Sequence, residues 1–384
     1  MRRLAPLALL LALSACGADL ASPLSAVAVI YDVPSQKFRL QQVTVESLTS
    51  LRHLEGISGS VKVGGTVRVS SGAIKAPGAT VSALRAAFVT APAAQVNLSW
   101  NVLNDIVYAE DFASLELLST YYNLEQARKT LSDWGLRVLP AKPVVAHAVL
   151  TDENGLSPLA AGELYYPPLA TFYAPAATPK QQLPAALNLG AVAHALGHEA
   201  VEEVVWAGAP VPSPELGTSN DARHLARSLA EGIGDYLGVA VTLDEHWFDH
   251  SLQQEAASRA LDRIHCSSPD MLYALAADDA QTPYDPYPLG SVFASALWEA
   301  GAQRVQNISR GVLDSLGELG SKAAAAQGTL TIPSILETLA AHAPADQRYA
   351  LCGIFLNRFA RVGLRRSDVP SCATATSRGE CPLQ

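Results

Sequence analysis

The apolar positions of the chain follow a strand pattern over the first hundred residues. Ala26–Tyr31 is a continuous apolar run, which predicts a buried strand. Val61–Val63 and Val67–Ser70 alternate apolar and polar residues around Gly64-Gly65, a pattern typical of a β-hairpin. Ala79–Thr90 carries further alternation. We therefore expect a small β-rich region over residues 16–100, in which no residue pattern indicates chemistry.

After about residue 105 the apolar positions recur at helical spacing. Asp111–Trp134 predicts a helix with Asp111 as its N-cap. Short extended pieces follow at Pro143–Leu150 and Leu169–Tyr173, and His147 in the first of these is expected to be a core residue without a role. Further helices are predicted over 188–206, 221–242, 252–264, 290–302, 305–325, 333–342 and 345–362. Strands early and helices late predict an α+β fold class.

The N-terminus has the pattern of an export signal. A positive start at Arg2 and Arg3 precedes an apolar stretch that is too short to span a bilayer as a stable helix. It ends in Leu13-Ser14-Ala15-Cys16, which resembles a bacterial lipobox and implies cleavage before Cys16 and lipidation of that residue. An ordinary secretory signal with a chance cysteine is the alternative. The expected location is the bacterial cell envelope with a lipid anchor in the membrane. Gly17 in place of an aspartate favours the outer membrane over the inner one.

The charge balance limits the class of partner. The chain has 49% apolar and 16% charged residues, enough to build a large core. Loss of Arg2 and Arg3 with the signal would take the net charge from −9 to −11. Binding to nucleic acid requires a basic face, so we expect no nucleic-acid partner.

The cysteine count suggests disulfide bonds in an exported chain. Once Cys16 is lipidated, an even number remains, namely Cys266, Cys352, Cys372 and Cys381. Of the three pairings that four cysteines allow, the sequence favours Cys266–Cys352 and Cys372–Cys381, because the last two lie close together in a polar tail. Free thiols are the alternative.

The chemistry of the chain is concentrated in one predicted helix that contains His194 and His198. Residues four apart lie on one face of a helix, so two imidazoles can bind a single metal ion there. In zinc proteases the pattern is H-E-x-x-H, whose Glu activates the metal-bound water. In this chain Ala195 stands where that Glu would be. The next predicted helix supplies Glu231 as a third candidate ligand, with Asp235 four residues later to orient a ligand imidazole.

These segments resemble the gluzincin metallopeptidases of the thermolysin and fungalysin type. The resemblance covers roughly residues 105 to 365, in matching segment order, and it rests on five segments: Tyr121–Ala127, AVAHALGHEAV around His194, LAEGIGDYLG around Glu231, Tyr284–Gly290, and Leu351–Gly363. It implies a two-lobed thermolysin-like domain over residues 101–365. It also implies zinc held by His194, His198 and Glu231, with Asp235 behind the ligands. A signal peptide (1–15), the β-rich region (16–100) and a polar tail (366–384) would complete the chain.

The chain departs from this family at two catalytic positions. Ala195 replaces the general-base Glu, and Tyr287 stands where the family has a histidine that stabilises the transition state. A phenol can still donate a hydrogen bond to an oxyanion, whereas nothing in the motif replaces the base. Glu199 lies one helical turn beyond Ala195, so it is a candidate substitute base acting through a water. A solvated acidic helix end formed by Glu199, Glu202 and Glu203 is the alternative.

Other histidines compete as ligands. His246 and His250 are also four residues apart, with Asp244, Glu245 and Asp249 nearby, so a second metal site is an alternative to a polar connection whose Trp247 and Phe248 pack inward. His224 lies two turns before Glu231 on the same helix face and is expected at the surface. The sequence also leaves open a remnant site that binds no metal.

Three functional interpretations follow. The first is a lipid-anchored, catalytically impaired metallopeptidase homologue that binds zinc and a peptide or protein ligand. The second is an active zinc metallopeptidase with Glu199 as its base. The third is a structural envelope lipoprotein in which the fold is a scaffold.

Overall fold

The computed structural model describes residues 19–32, 35, 37–68, 88–136, 139–151, 165–166, 169–175, 183–209, 211–212, 217–251, 259–277, 284–301 and 304–381. The predicted signal peptide and Cys16 lie outside the described residues. So do most of the alternating stretch Ala79–Thr90 and most of the helix predicted at Leu252–Ile264.

The strands of the described residues precede almost all of the helices. The strands are β1 (Leu24–Asp32), β2 (Lys37–Val45), β3 (Leu48–Ser50), β4 (Glu55–Gly56), β5 (Gly59–Val63), β6 (Thr66–Arg68), β7 (Val89–Ala91), β8 (Ala94–Gln95), β9 (Trp100–Leu103), β10 (Ile106–Ala109), β11 (Lys142–Thr151), β12 (Tyr165–Tyr166) and β13 (Thr171–Pro175). The helices are α1 (Phe112–Asp133), α2 (Leu189–Ala200), α3 (Asn220–Thr242), α4 (Pro269–Ala276), α5 (Tyr287–Gly301), α6 (Val305–Ala325), α7 (Ile332–His342) and α8 (Ala345–Arg358). The predicted α+β class, with a β-rich N-terminal region and a helical C-terminal half, is confirmed.

One sheet has the strand order β2-β1-β10-β9. β1 and β2 form a long antiparallel hairpin, and β10 runs parallel to β1. Helix α1 packs its buried Leu118 and Tyr121 against this sheet. The helix begins as predicted, because the Asp111 side chain accepts a hydrogen bond of 2.7 Å from the Ser114 backbone N–H.

The second sheet corrects the predicted hairpin around Gly64-Gly65. β5 and β6 do not pair with each other, because both run parallel to successive parts of β11. Gly64 and Gly65 have φ values of 71° and 88°, which shift the chain sideways without reversing it. On β11, His147 adopts a φ of 55° at a register irregularity. Two glycines between short strands are therefore compatible with a sideways shift as well as with a turn.

Each of the two sheets contains strands that precede residue 100 in the sequence and strands that follow it, since β1 pairs with β10 and β5 pairs with β11. The division of the chain at residue 100 stays a prediction.

The C-terminal half is a cluster of packed helices around α3 and α5. Leu229, Ile233 and Leu237 of α3 are fully buried, as are Phe293 and Leu297 of α5. Of the helices that the structure describes, none is both long enough and apolar enough to cross a membrane.

The disulfide pairing predicted from the sequence is wrong. The bonds join Cys266 to Cys381 and Cys352 to Cys372. The tail after residue 365 folds back along α8 in short turns, and Asn357 of α8 exchanges two hydrogen bonds with the backbone of Cys381. Because the tail wraps around this helix, its two cysteines reach different partners on the body of the protein.

Candidate metal centre

Helix α2 is fixed at its start by Asn188. The Asn188 side-chain oxygen accepts a hydrogen bond of 3.0 Å from the Gly190 N–H, and its amide donates to the Trp247 carbonyl at 2.7 Å. Nearly every residue of this helix is buried. The helix is thus held at its start by this cap and along its length by burial in the core. Both restrict the orientation of its side chains.

Glycines allow α2 and α3 to cross in direct backbone contact. A β-carbon on Gly197 would lie 2.7 Å from the Gly234 Cα, and a β-carbon on Gly234 would lie 2.7 Å from the His194 Nδ1. Any larger side chain would force the two helices apart. The close crossing places Glu231 and Asp235 beside the two histidines of α2.

The crossing assembles the predicted ligand set. The Nε2 atoms of His194 and His198 lie 2.9 Å apart, and the Glu231 Oε2 lies 3.5 Å and 3.6 Å from them. Over the part of the chain that the structure describes, these three residues form the one cluster of at least three His, Cys, Asp or Glu side chains able to hold a metal ion.

The donor set fits a zinc-type ion. Tetrahedral coordination with bonds of about 2.05 Å separates ligand atoms by roughly 3.3 Å, close to the three separations observed. Two imidazole nitrogens and one carboxylate oxygen are donors that zinc accepts in proteins.

A carboxylate orients one of the ligands from behind. The Asp235 Oδ1 lies 2.9 Å from the Nδ1 of His194, on the side of the ring opposite the ligand atom. A proton held on Nδ1 leaves the Nε2 lone pair free to face an ion. Asp235 is fully buried, and Arg259 balances its charge.

Arg259 is the residue of this site that the sequence did not reveal. It is 2% exposed and donates hydrogen bonds to both oxygens of Asp235 and, at 3.2 Å, to the Glu231 Oε2. Its guanidinium carbon lies 4.4 Å above the Phe248 ring and 3.9 Å above the Tyr287 ring. With Arg259 present, two carboxylates and one cation leave the centre with a single formal negative charge for a metal ion to offset.

The pKa values favour the ligand forms of these side chains. Burial alone would raise the pKa of Glu231, but the neighbouring His198, Arg259 and His194 lower it to about 2. Burial lowers the pKa of His194 in spite of the Asp235 carboxylate. The carboxylate is therefore ionised and the His194 imidazole neutral at neutral pH, the forms that bind a metal.

The other three residues with a predicted catalytic position have different surroundings in the structure. Ala195 is 1% exposed and packs in the main core beside the ligands. The Tyr287 ring reaches the centre through its contact with Arg259. Glu199 instead contacts two cations, the Arg128 guanidinium at 3.0 Å and the Lys142 ammonium at 3.3 Å. Glu199 is fully buried, so the alternative of a solvated acidic helix end does not apply to it.

Within the described ranges, the competing histidines belong to no further cluster of three metal-binding side chains. His246 faces the carboxylates of Asp249 at 3.6 Å and Asp262 at 3.3 Å, whereas His250 faces Asp244 at 3.6 Å. The predicted surface position of His224 is wrong, because this residue is fully buried, stacks on Tyr284 and contacts the Leu275 carbonyl through its Nδ1.

His147 was expected to be a core residue without a role. Its side chain is instead 41% exposed and contacts the buried carboxylate of Glu116 at 2.8 Å.

Comparisons with known proteins show a similarity to a solved structure. No protein-family model matches the sequence, and a search of the curated proteins finds no match. Among solved structures, the chain is similar to the precursor of protealysin, a metalloproteinase from Serratia proteamaculans. The two are 11% identical with a TM-score of 0.46, and the alignment covers 78% of this chain and 88% of the other. The roles assigned below therefore rest on the geometry of the site itself.

Proposed function

We propose that the chain is a lipid-anchored homologue of the gluzincin metallopeptidases that binds zinc through His194, His198 and Glu231 and is catalytically impaired. The observation that carries this proposal is the three-residue ligand cluster with Ala195 buried directly beside it. The class of metal follows from the donor set, and the impairment follows from the missing base.

The side chains of this centre support binding better than turnover. When bound, zinc would polarise a carbonyl oxygen or a water molecule held against it. His194 is oriented by Asp235, and Arg259 holds Glu231 and Asp235 together. Next to His194, the Ala195 methyl group can neither accept nor return a proton. Loss of general acid–base assistance lowers a rate by about 10²–10⁴.

The two cations that contact Glu199 argue against its acting as a substitute base. To reach the metal ligands, its carboxylate would have to leave both Arg128 and Lys142, and each of these cations would lose a buried partner. We therefore favour the impaired homologue over the active peptidase. We expect the ligand of the impaired homologue to be a peptide or protein segment that binds next to His194, His198 and Tyr287.

Hydrolysis of an unstructured protein such as casein tests the proposed impairment. The purified chain from residue 17 onward is compared with Ala195→Glu and with the uncharged, equally large Ala195→Gln. We expect only the Glu variant to gain activity, by about 10²–10⁴. A natural chain that cuts within roughly tenfold of the Glu variant would support the active-peptidase interpretation instead.

Zinc content tests the metal site separately. We expect one equivalent in the natural chain and none in His198→Ala, while His250→Ala serves as the matched control and retains its zinc. Absence of zinc from the natural chain would favour a structural lipoprotein. Zinc retained in His198→Ala would assign the metal to other residues.

A further inference from the structure

The described part of the protein starts three residues after the proposed lipid anchor. Asp19 is held by the Ser50 hydroxyl, which donates to its Oδ2, and by the Arg52 backbone N–H at 2.9 Å. The Leu20 carbonyl accepts a further hydrogen bond from the Leu51 N–H at 2.8 Å. Only two residues separate Cys16 from Asp19, and three extended residues span at most about 10 Å. A lipid on Cys16 would therefore hold this face of the protein within about 10 Å of the bilayer surface.

The surface next to Asp19 carries exposed apolar side chains. The Arg52 guanidinium lies 5.9 Å above the Trp100 ring, and the Arg52 carbonyl accepts a hydrogen bond from the Leu98 N–H. Val102 lies two residues further along β9, on the same side of the strand as Trp100, and is 52% exposed. Phe112, the first residue of α1, is 66% exposed. We call Asp19, Arg52, Trp100, Val102 and Phe112 the anchor face.

The start of α1 is tied to the strand of Trp100. The Ser114 hydroxyl accepts a hydrogen bond of 3.1 Å from the Ser99 N–H, and the Ser99 carbonyl accepts one from the Glu110 N–H. These bonds keep Phe112 close to β9, so the apolar side chains of the anchor face belong to one rigid part of the protein.

We propose that the anchor face rests in the interfacial layer of the membrane and forms a second contact beside the lipid. This inference relies on the proposed lipidation of Cys16. Tryptophan and arginine are side chains that suit the boundary between headgroups and acyl chains, with an apolar body and a polar or charged end. Glu110 and Asp111 border the face, so zwitterionic headgroups suit it better than anionic ones.

The cysteines and tryptophans of the chain allow a direct test. Cys16 is the one thiol of residues 16–384 outside the two disulfides, so maleimide coupling attaches the protein to a lipid at that position. Of the five tryptophans, Trp134, Trp206, Trp247 and Trp298 are at most 9% exposed, whereas Trp100 is only partly buried. Quenching of tryptophan emission by brominated acyl chains therefore reports on Trp100.

The protein from Cys16 onward is coupled to phosphatidylcholine vesicles with and without brominated chains. We expect partial quenching of tryptophan emission in the brominated vesicles, abolished in Trp100→Phe and reduced in the double variant Val102→Ser, Phe112→Ser. Unchanged melting temperatures would show that these variants fold. Equal emission from both kinds of vesicle would overturn the proposal, as would quenching that persists in Trp100→Phe. If the uncoupled protein formed a dimer in which Trp100 is shielded from solvent, the anchor face would instead be assigned to contact with a second copy of the chain.

Because the coupling is chemical, this test does not depend on natural lipidation. The lipid anchor itself is tested in cells by the mass of the mature N-terminus, which should carry acyl chains that Cys16→Ser lacks. An unmodified Cys16 would overturn the anchor, whereas loss of the quenching signal would overturn only the anchor face.

Discussion

Gly234 passes so close to His194 that a β-carbon at this position would lie 2.7 Å from the imidazole Nδ1 and 2.9 Å from its Cε1. The two helices of the metal centre can therefore approach only because glycine occupies this crossing. We expect Gly234→Ala to push the His194 ring away from Asp235 and to weaken zinc binding by about 10–100-fold. Competition with a chromogenic chelator measures this affinity.

Gly317→Ala is the matched control for that variant. Gly317 lies in α6, and a β-carbon there would have no neighbour within 4 Å. Alanine should leave zinc affinity unchanged and raise the free energy of unfolding by about 0.5–1 kcal/mol. Equal zinc affinities for both variants would contradict the role given to the crossing.

Arg259 supplies the only buried positive charge that the structure shows in contact with both Glu231 and Asp235 within its described residues. Arg259→Met would leave the fully buried Asp235 and the partly exposed Glu231 without this cation, so we expect the metal-free protein to lose about 3–5 kcal/mol of stability. A bound divalent ion would then offset a larger uncompensated negative charge in the variant than in the natural chain. Zinc should therefore raise the melting temperature of the variant by more than that of the natural chain, and an equal or smaller rise would argue against this account.

The two cations around Glu199 indicate a structural carboxylate. Glu199→Gln should destabilise the protein by about 3–5 kcal/mol, because Arg128 and Lys142 would each lose a buried partner. Glu110→Gln, at an exposed position, should change the free energy of unfolding little. If Glu199→Gln instead retained its stability and abolished a measurable hydrolytic activity, Glu199 would be the base.

The contact between His147 and Glu116 makes part of the stability depend on pH. The hydrogen bond to the Glu116 carboxylate raises the pKa of His147 above its usual value of 6.5. The folded state thus binds this proton more tightly than the unfolded state does. Its stabilisation is fully present below about pH 6.5 and is lost as the pH rises through the pKa of the folded state.

Replacement of the carboxylate checks this dependence. In Glu116→Gln, we expect the NMR titration of the His147 ring to move to lower pH and the pH dependence of the melting temperature above pH 6.5 to flatten. An unchanged titration midpoint would show that Glu116 does not set the pKa of His147.

The local parts of the metal centre could be predicted from the sequence, whereas its long-range parts could not. His194 with His198, and Glu231 with Asp235, lie one helical turn apart, so helical spacing alone places each pair on one face. Arg259 is 24 residues from Asp235 along the chain and belongs to no recognisable motif, so only the folded structure brings it to the site.

The errors in the fold have a similar physical origin. Gly64 and Gly65 permit positive φ angles, but which chain direction follows depends on β11, a strand nearly eighty residues away. Cys372 and Cys381 are close in sequence, yet the path of the tail around α8 separates them. Local patterns give the conformations that are allowed, and distant contacts decide among them.

The tip of the β1–β2 hairpin packs against the surroundings of the metal centre. β1 starts five residues after Asp19 and runs for nine residues, about 30 Å. At its far end, the Tyr31 ring lies 5.1 Å from the ring of His250, two residues after Phe248, whose ring packs 6.4 Å from that of His194. The Phe38 ring of β2 lies 5.1 Å from the same His250 ring, so the first hairpin of the chain buttresses the side chains around His194, and a substitution at the hairpin tip should disturb the metal centre without touching a ligand.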